Sequence, residues 1–140
     1  MRLRLGRIMT IGAFIGIFVW CGLAVGQEIS SQQLLDGLKN PSRWLTYSGD
    51  YTGQRHSPLT QITPSNVAQL SVQWAFQTGA VGKFEAVPIV IDGILYFTAP
   101  GNRAWAVDAR TGRRIWSYQK ELPDKPGTQV NRGLAVLGNK

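Results

Sequence analysis

Cysteine and histidine are almost missing from this chain of 140 residues: Cys21 and His56 are the only ones. One cysteine, inside an apolar N-terminal stretch, excludes a disulfide framework and a thiolate metal site from everything downstream. One histidine, with no cluster of Cys, His, Asp or Glu around it, reads as a packed or exposed loop residue rather than a ligand. The patterns G-x-S-x-G, Walker A and H-E-x-x-H are absent as well, which removes the common hydrolase, nucleotide and zinc-protease readings. Long runs of like charge are lacking too. The formal charge is +7, but Arg2, Arg4 and Arg7 carry three of the 15 basic residues, leaving 12 against 8 acidic ones further on. Those 12 are scattered among strands and turns without a run of five or more, so a nucleic-acid footprint is not expected.

What is present begins with a targeting segment. Met1–Gly26 has a basic start, an apolar stretch from Ile8 to Val25, and small residues at Ala24 and Gly26 that suit a cleavage site. Export with a mature N-terminus near Gln27 is expected, and the length of the apolar stretch also admits an uncleaved membrane anchor. Trp20 precedes Cys21 where a lipoprotein signal needs a small residue, which argues against lipidation.

Residues 27–69 read as a lead-in with short helices. Ile29–Lys39 carries an apolar stripe of Leu34, Leu35 and Leu38, with Ser30 and Gln33 spaced as a capping box and Asn40-Pro41 as the stop. Trp44–Pro58 is aromatic and glycine-rich and reads as extended loop. Pro64–Gln69 reads as a second short helix with proline at its first position. From residue 70 the period changes to two. Leu70–Gln77, Ile89–Ile91, Ile94–Thr98, Arg103–Asp108 and Arg114–Tyr118 read as about five short strands separated by turn residues, Asp92-Gly93 among them. Lys120–Gln129 reads as loop and Gly133–Leu137 as a further strand.

The most specific stretch is Ala106–Trp116, AVDARTGRRIW. Strand formers flank Asp-Ala-Arg-Thr-Gly, a hairpin turn in which Asp108 can accept backbone N–H groups and Gly112 can take positive φ. Taken alone it is a β-hairpin carrying a tryptophan. Ala106, Asp108, Thr111, Gly112 and Trp116 also fall on the positions of A-x-D-x-x-T-G-x-x-x-W, so the stretch resembles the tryptophan-docking motif of quinoprotein dehydrogenases. Three further segments, Trp44–Leu70, Phe84–Phe97 (FEAVPIVIDGILYF) and Val130–Gly133 (VNRG), resemble the lead-in, first strand pair and next-blade start of the pyrroloquinoline-quinone-dependent alcohol dehydrogenases, in that family's order.

The resemblance implies an all-β fold. Residues 70–140 would form the first blade and the start of the second in an eight-bladed quinoprotein β-propeller, after a signal segment (1–26) and the lead-in (27–69). It implies an exported, periplasmic enzyme that oxidises a small alcohol with pyrroloquinoline quinone. A calcium or lanthanide ion would sit beside the quinone, and a cytochrome c or other acceptor would take the electrons. The catalytic base and metal ligands of the family lie beyond residue 140, so no catalytic residue and no metal ligand is expected here. Without them residues 1–140 are expected to be inactive alone, and because Leu134–Lys140 (LAVLGNK) ends before a return strand, an N-terminal fragment, or a gene broken early, that does not fold cooperatively alone is expected. The alternative from another class is a non-catalytic propeller scaffold of the outer-membrane assembly type. Such a scaffold needs the docking motif but no cofactor residues.

Two residues carry the cofactor expectation. Glu85, in FEAVP, matches a family glutamate that holds the quinone by hydrogen bonds near the propeller axis; on bare sequence it reads as an exposed loop glutamate, and the match to FEAVP turns the reading to the cofactor. Arg132, in VNRG, matches the family arginine that pairs with the cofactor's carboxylate and quinone oxygens, a task suited to the planar guanidinium fork; on bare sequence it is a surface arginine before a glycine turn. Asn131 is placed to help fix that loop. Many family members carry two adjacent cysteines just before VNRG, joined in a disulfide ring over the cofactor. Pro126 and Gly127 stand there instead. Trp74, Trp105 and Trp116 are expected to be structural, with Trp116 stacked on a neighbouring blade.

Overall fold

A computed structural model describes residues 28–121 and 130–138. The targeting segment, Cys21, most of the 120–129 loop, Pro126 and Gly127 lie outside the described residues. A short helix α1 (Ser31–Asp36) precedes four strands: β1 (Ile89–Ile91), β2 (Ile94–Ala99), β3 (Arg103–Asp108) and β4 (Arg114–Gln119). They form one antiparallel sheet in the order β1-β2-β3-β4. This meander is the four-stranded unit expected of one propeller blade.

Each turn follows from its residues. Asp92 (φ 49°) and Gly93 (φ 79°) both adopt the left-handed conformation that a two-residue hairpin matching the strand twist requires. Asp108 accepts Thr111 N at 2.8 Å, Thr111 Oγ1 at 2.9 Å and Arg110 N at 3.0 Å, as its place in the turn predicts. The Thr111 hydroxyl, then the Thr111 and Arg110 amides, hold the Asp108 carboxyl below its ordinary range. The Gly112 amide donates back to the Asp108 carbonyl at 2.8 Å and closes the loop. Ala109 N also donates to Gly93 O at 2.8 Å, tying the two hairpin ends together.

The core lies on both faces of β3, where Ala104, Trp105, Ala106 and Val107 are all buried. On one face Trp105 stacks on Phe97 with ring centroids 5.3 Å apart, and Phe76 meets both rings edge-on. On the other, Ala106 is registered between Tyr96 and Trp116, whose rings are 6.1 Å apart. A larger side chain at 106 would not fit under that pair. Trp116 itself is 41% exposed on the edge strand β4.

The lead-in is stitched to this sheet. Trp44 and Val90 exchange two backbone bonds of 2.9 Å along the outer edge of β1. Buried Arg43 reaches Asp92 with Nε at 2.9 Å and a terminal nitrogen at 2.7 Å. The capping box is complete, with Gln33 N donating to Ser30 Oγ and Ser30 N to Gln33 Oε1.

Four expectations are corrected. The first helix is shorter than Ile29–Lys39: it is α1 plus a 3₁₀ turn at Gly37–Lys39, because Ile29 is taken into a bridge with Gly138. The second is reduced to a 3₁₀ turn at Val67–Gln69. Asn66 turns its side chain onto Thr63 N and Gln61 O, a local alternative to helical bonding. Residues 70–77 are in no ladder, and Val72 is 86% exposed. Their alternation is that of a strap whose Trp74 and Phe76 dock on the hairpin end and the Trp105 face while the backbone stays unpaired by any described strand. Residues 133–137 likewise form no strand and reach the fold through the Ile29–Gly138 bridge.

Candidate functional site

The two residues assigned to the cofactor meet. Glu85 lies just before β1, on the chain leading from the strap into the sheet, and Arg132 lies after the loop that follows β4. Arg132 Nε stands 3.5 Å from Glu85 Oε2. The arginine side chain is 81% exposed and the glutamate 40%. At this separation and exposure the pair is a loose, screened attraction, weaker than a desolvated bond. Arg132 makes no hydrogen bond among the described residues, so the donors of its fork remain available to a ligand.

The backbone around Arg132 is far better ordered by bonds than its side chain. Asn131 Oδ1 accepts Gly133 N at 3.0 Å, closing a small ring around Arg132. The same oxygen accepts the Thr98 hydroxyl at 2.7 Å from the end of β2. Gly133 has φ 138°, and a Cβ there would lie 3.4 Å from the carbonyl of Val87, two residues beyond Glu85. The chain carrying Arg132 therefore runs close beside the chain carrying Glu85.

Thr98 is inconspicuous in the sequence. Its only signal there is position: a hydroxyl between Phe97 and Ala99 at the buried end of a strand must find a partner. Trp74 is structural, as its sequence suggests. Its indole N–H donates to Ala109 O at 3.1 Å, and its ring covers Gly112. His56 is exposed and outside the site. Among the described residues no three His, Cys, Asp or Glu side chains converge as a metal site would require, and no helix is long and apolar enough to cross a membrane.

A flat, acidic ligand fits the chemistry of this donor set. The exposed fork can grip a carboxylate in two bonds. A carboxylate beside it accepts from a donor or shares a proton with the ligand.

Comparison with known proteins bears on the chain as a whole. Residues 44–140 match the family model described as PQQ glucose/ethanol/alcohol dehydrogenase, beta-propeller domain. The chain is 43% identical over 102 residues to a 1-butanol dehydrogenase (cytochrome c) of Thauera butanivorans, covering 69% of this chain and 15% of that protein. It is 40% identical over 121 residues to the quinoprotein alcohol dehydrogenase PedH of Pseudomonas putida, covering 83% of this chain and 20% of that protein. Among solved structures, the quinohemoprotein alcohol dehydrogenase ADHIIG from Pseudomonas putida superposes with a TM-score of 0.69 at 35% identity, over 79% of this chain and 17% of that one. A europium-containing methanol dehydrogenase superposes with a TM-score of 0.59 at 30% identity, over 64% of this chain and 16% of that one. The chain thus spans no more than about a fifth of the relatives it matches.

Proposed function

The chain belongs to the PQQ glucose/ethanol/alcohol dehydrogenase β-propeller family, and from that premise we propose that it supplies Glu85 and Arg132 to one side of a pyrroloquinoline-quinone site in an enzyme that oxidises a small alcohol. The observation that carries this reading is the approach of Glu85 and Arg132 to 3.5 Å from distant parts of the chain, with the guanidinium open to solvent. The quinone, when bound, takes up the electrons the alcohol gives up. The residues of this chain bind and orient: Arg132 grips a carboxylate or quinone oxygen through its fork, and Glu85 limits the tilt of a flat ligand by a hydrogen bond. A calcium or lanthanide ion beside the quinone and a cytochrome c or other electron acceptor complete the proposal, with the ion's ligands outside the described residues.

Equilibrium titration of the full-length apoprotein with the quinone tests the assignment. A charge-assisted hydrogen bond contributes about 1.5–3 kcal/mol. Arg132→Ala should therefore weaken quinone binding roughly tenfold or more. Glu85→Gln keeps the shape and removes a carboxylate facing an acidic ligand, so its effect should be smaller. Binding by Arg132→Ala as tight as the parent's would make Arg132 a surface residue and remove the assignment.

The proposed setting is the periplasm, reached through Met1–Gly26. Basic residues at its start and small residues at Ala24 and Gly26 support export followed by cleavage. N-terminal sequencing of the protein from the periplasmic fraction should begin near Gln27. Retention of Arg2 would instead show an uncleaved anchor.

A further inference from the structure

We propose that Thr98 is a positioning residue for Arg132, acting through Asn131; the inference rests on the reading that Arg132 holds the quinone. Among the described residues the side chain of Arg132 is held only by a loose ion pair, so its aim is set by its backbone. That backbone is pinned at one atom. Asn131 Oδ1 accepts both the Gly133 amide at 3.0 Å and the Thr98 hydroxyl at 2.7 Å. The first bond fixes the local shape of the loop, since it joins residues on either side of Arg132. The second fixes where that loop sits, since Thr98 belongs to β2, the second strand of the sheet.

Burial makes the second bond decisive. Thr98 is 3% exposed. At that depth the hydroxyl has no water to turn to, and among the described residues Asn131 is the partner of its side chain. The loop and the strand therefore keep one relative position rather than several. The close pass of Gly133 over the Val87 carbonyl extends the same constraint to the stretch carrying Glu85. Thr98 would touch no part of the ligand. Its contribution is to hold the two gripping side chains at one spacing, so that the ligand does not have to order the loop when it binds.

The test is quinone titration of the full-length apoprotein in a double-mutant cycle. Thr98→Val fills the same space without the hydroxyl, and Thr98→Ser retains the hydroxyl with less packing. Thr98→Val should weaken binding roughly two- to tenfold, the range of one net hydrogen bond, while Thr98→Ser should bind within about twofold of the parent. In an Arg132→Ala background Thr98→Val should change binding by less than about twofold, because there is no guanidinium left to aim. If Thr98→Val does not fold, Asn131→Ala removes the Thr98 bond from the loop side together with the Gly133 bond, and should weaken binding at least as much, again only while Arg132 is present. Parent-like binding by the folded Thr98→Val or Asn131→Ala variant overturns the inference, and so does an equal loss with and without Arg132, which would mark a packing effect. Parent-like binding by Arg132→Ala itself would remove the cofactor reading and this inference together. A weakened Arg132→Ala beside a parent-like Thr98→Val removes the positioning role alone.

Discussion

Replacing Trp105 with alanine is expected to destabilise the blade by about 3–5 kcal/mol, the range for truncating a buried tryptophan. Trp105 is 5% exposed at the middle of β3. Its ring stacks on Phe97 at 5.3 Å and takes the edge of Phe76 at 6.3 Å, so its removal opens a cavity beneath the strap as well as a hole in the sheet. Trp105→Phe should recover part of the loss by keeping an aromatic partner for Phe97. Denaturant unfolding of the full-length protein, followed by a probe local to this blade, measures both. Loss of less than about 1 kcal/mol for Trp105→Ala would contradict its place at the centre of the core.

The second large effect is expected at Gly112. Its φ is 70°, and a Cβ built there would lie 2.6 Å from Cε3 of Trp74, a ring atom in the body of the side chain that cannot simply swing away. Gly112→Ala therefore meets two penalties. A left-handed backbone costs a residue with a Cβ about 1–2 kcal/mol. Displacing Trp74 breaks the indole bond to Ala109 O, worth about 0.5–1.5 kcal/mol, and lifts the strap from the hairpin. A total near 2–3 kcal/mol is expected. The two parts are separable, because in a Trp74→Ala background the same substitution should retain the backbone penalty and lose the clash. Thermal unfolding that leaves Gly112→Ala level with the parent would sink the argument.

This pair of residues also explains a feature of the docking motif. In the sequence, Gly112 is legible as a turn glycine and Trp74 as an apolar position in an alternating stretch. The fold joins them: the turn is bare at Gly112 because the tryptophan of the strap lies on it. Among the described residues Trp116 meets Tyr96 and otherwise keeps an open face. Stacking on a neighbouring blade remains the proposal for that face.

The elements decided by near neighbours were legible from the sequence. The capping box needs only Ser30 and Gln33, three residues apart. The Asp92-Gly93 turn needs two residues tolerant of positive φ, and the 108–112 loop needs one carboxylate and the amides that follow it. β1 to β4 match the expected strands within about a residue, since alternating burial and local turn chemistry point the same way there. Motif resemblance then singled out Glu85 and Arg132.

The tertiary structure decided what depends on partners far along the chain. Alternation in residues 70–77 describes which side chains pack, and packing on a sheet face shows the same period as membership of a ladder. Only the location of hydrogen-bonding partners separates the two, and those lie outside the stretch. Ile29 reads as the start of a helix, yet its backbone is satisfied by Gly138 at the other end of the chain. Thr98 shows only as a strand residue until burial removes water from its hydroxyl and Asn131 replaces it. The meeting of Glu85 and Arg132 belongs to the same class. The chemistry of each side chain is written in its residue type, whereas their separation is set by the sheet order and by the loop pinned to β2.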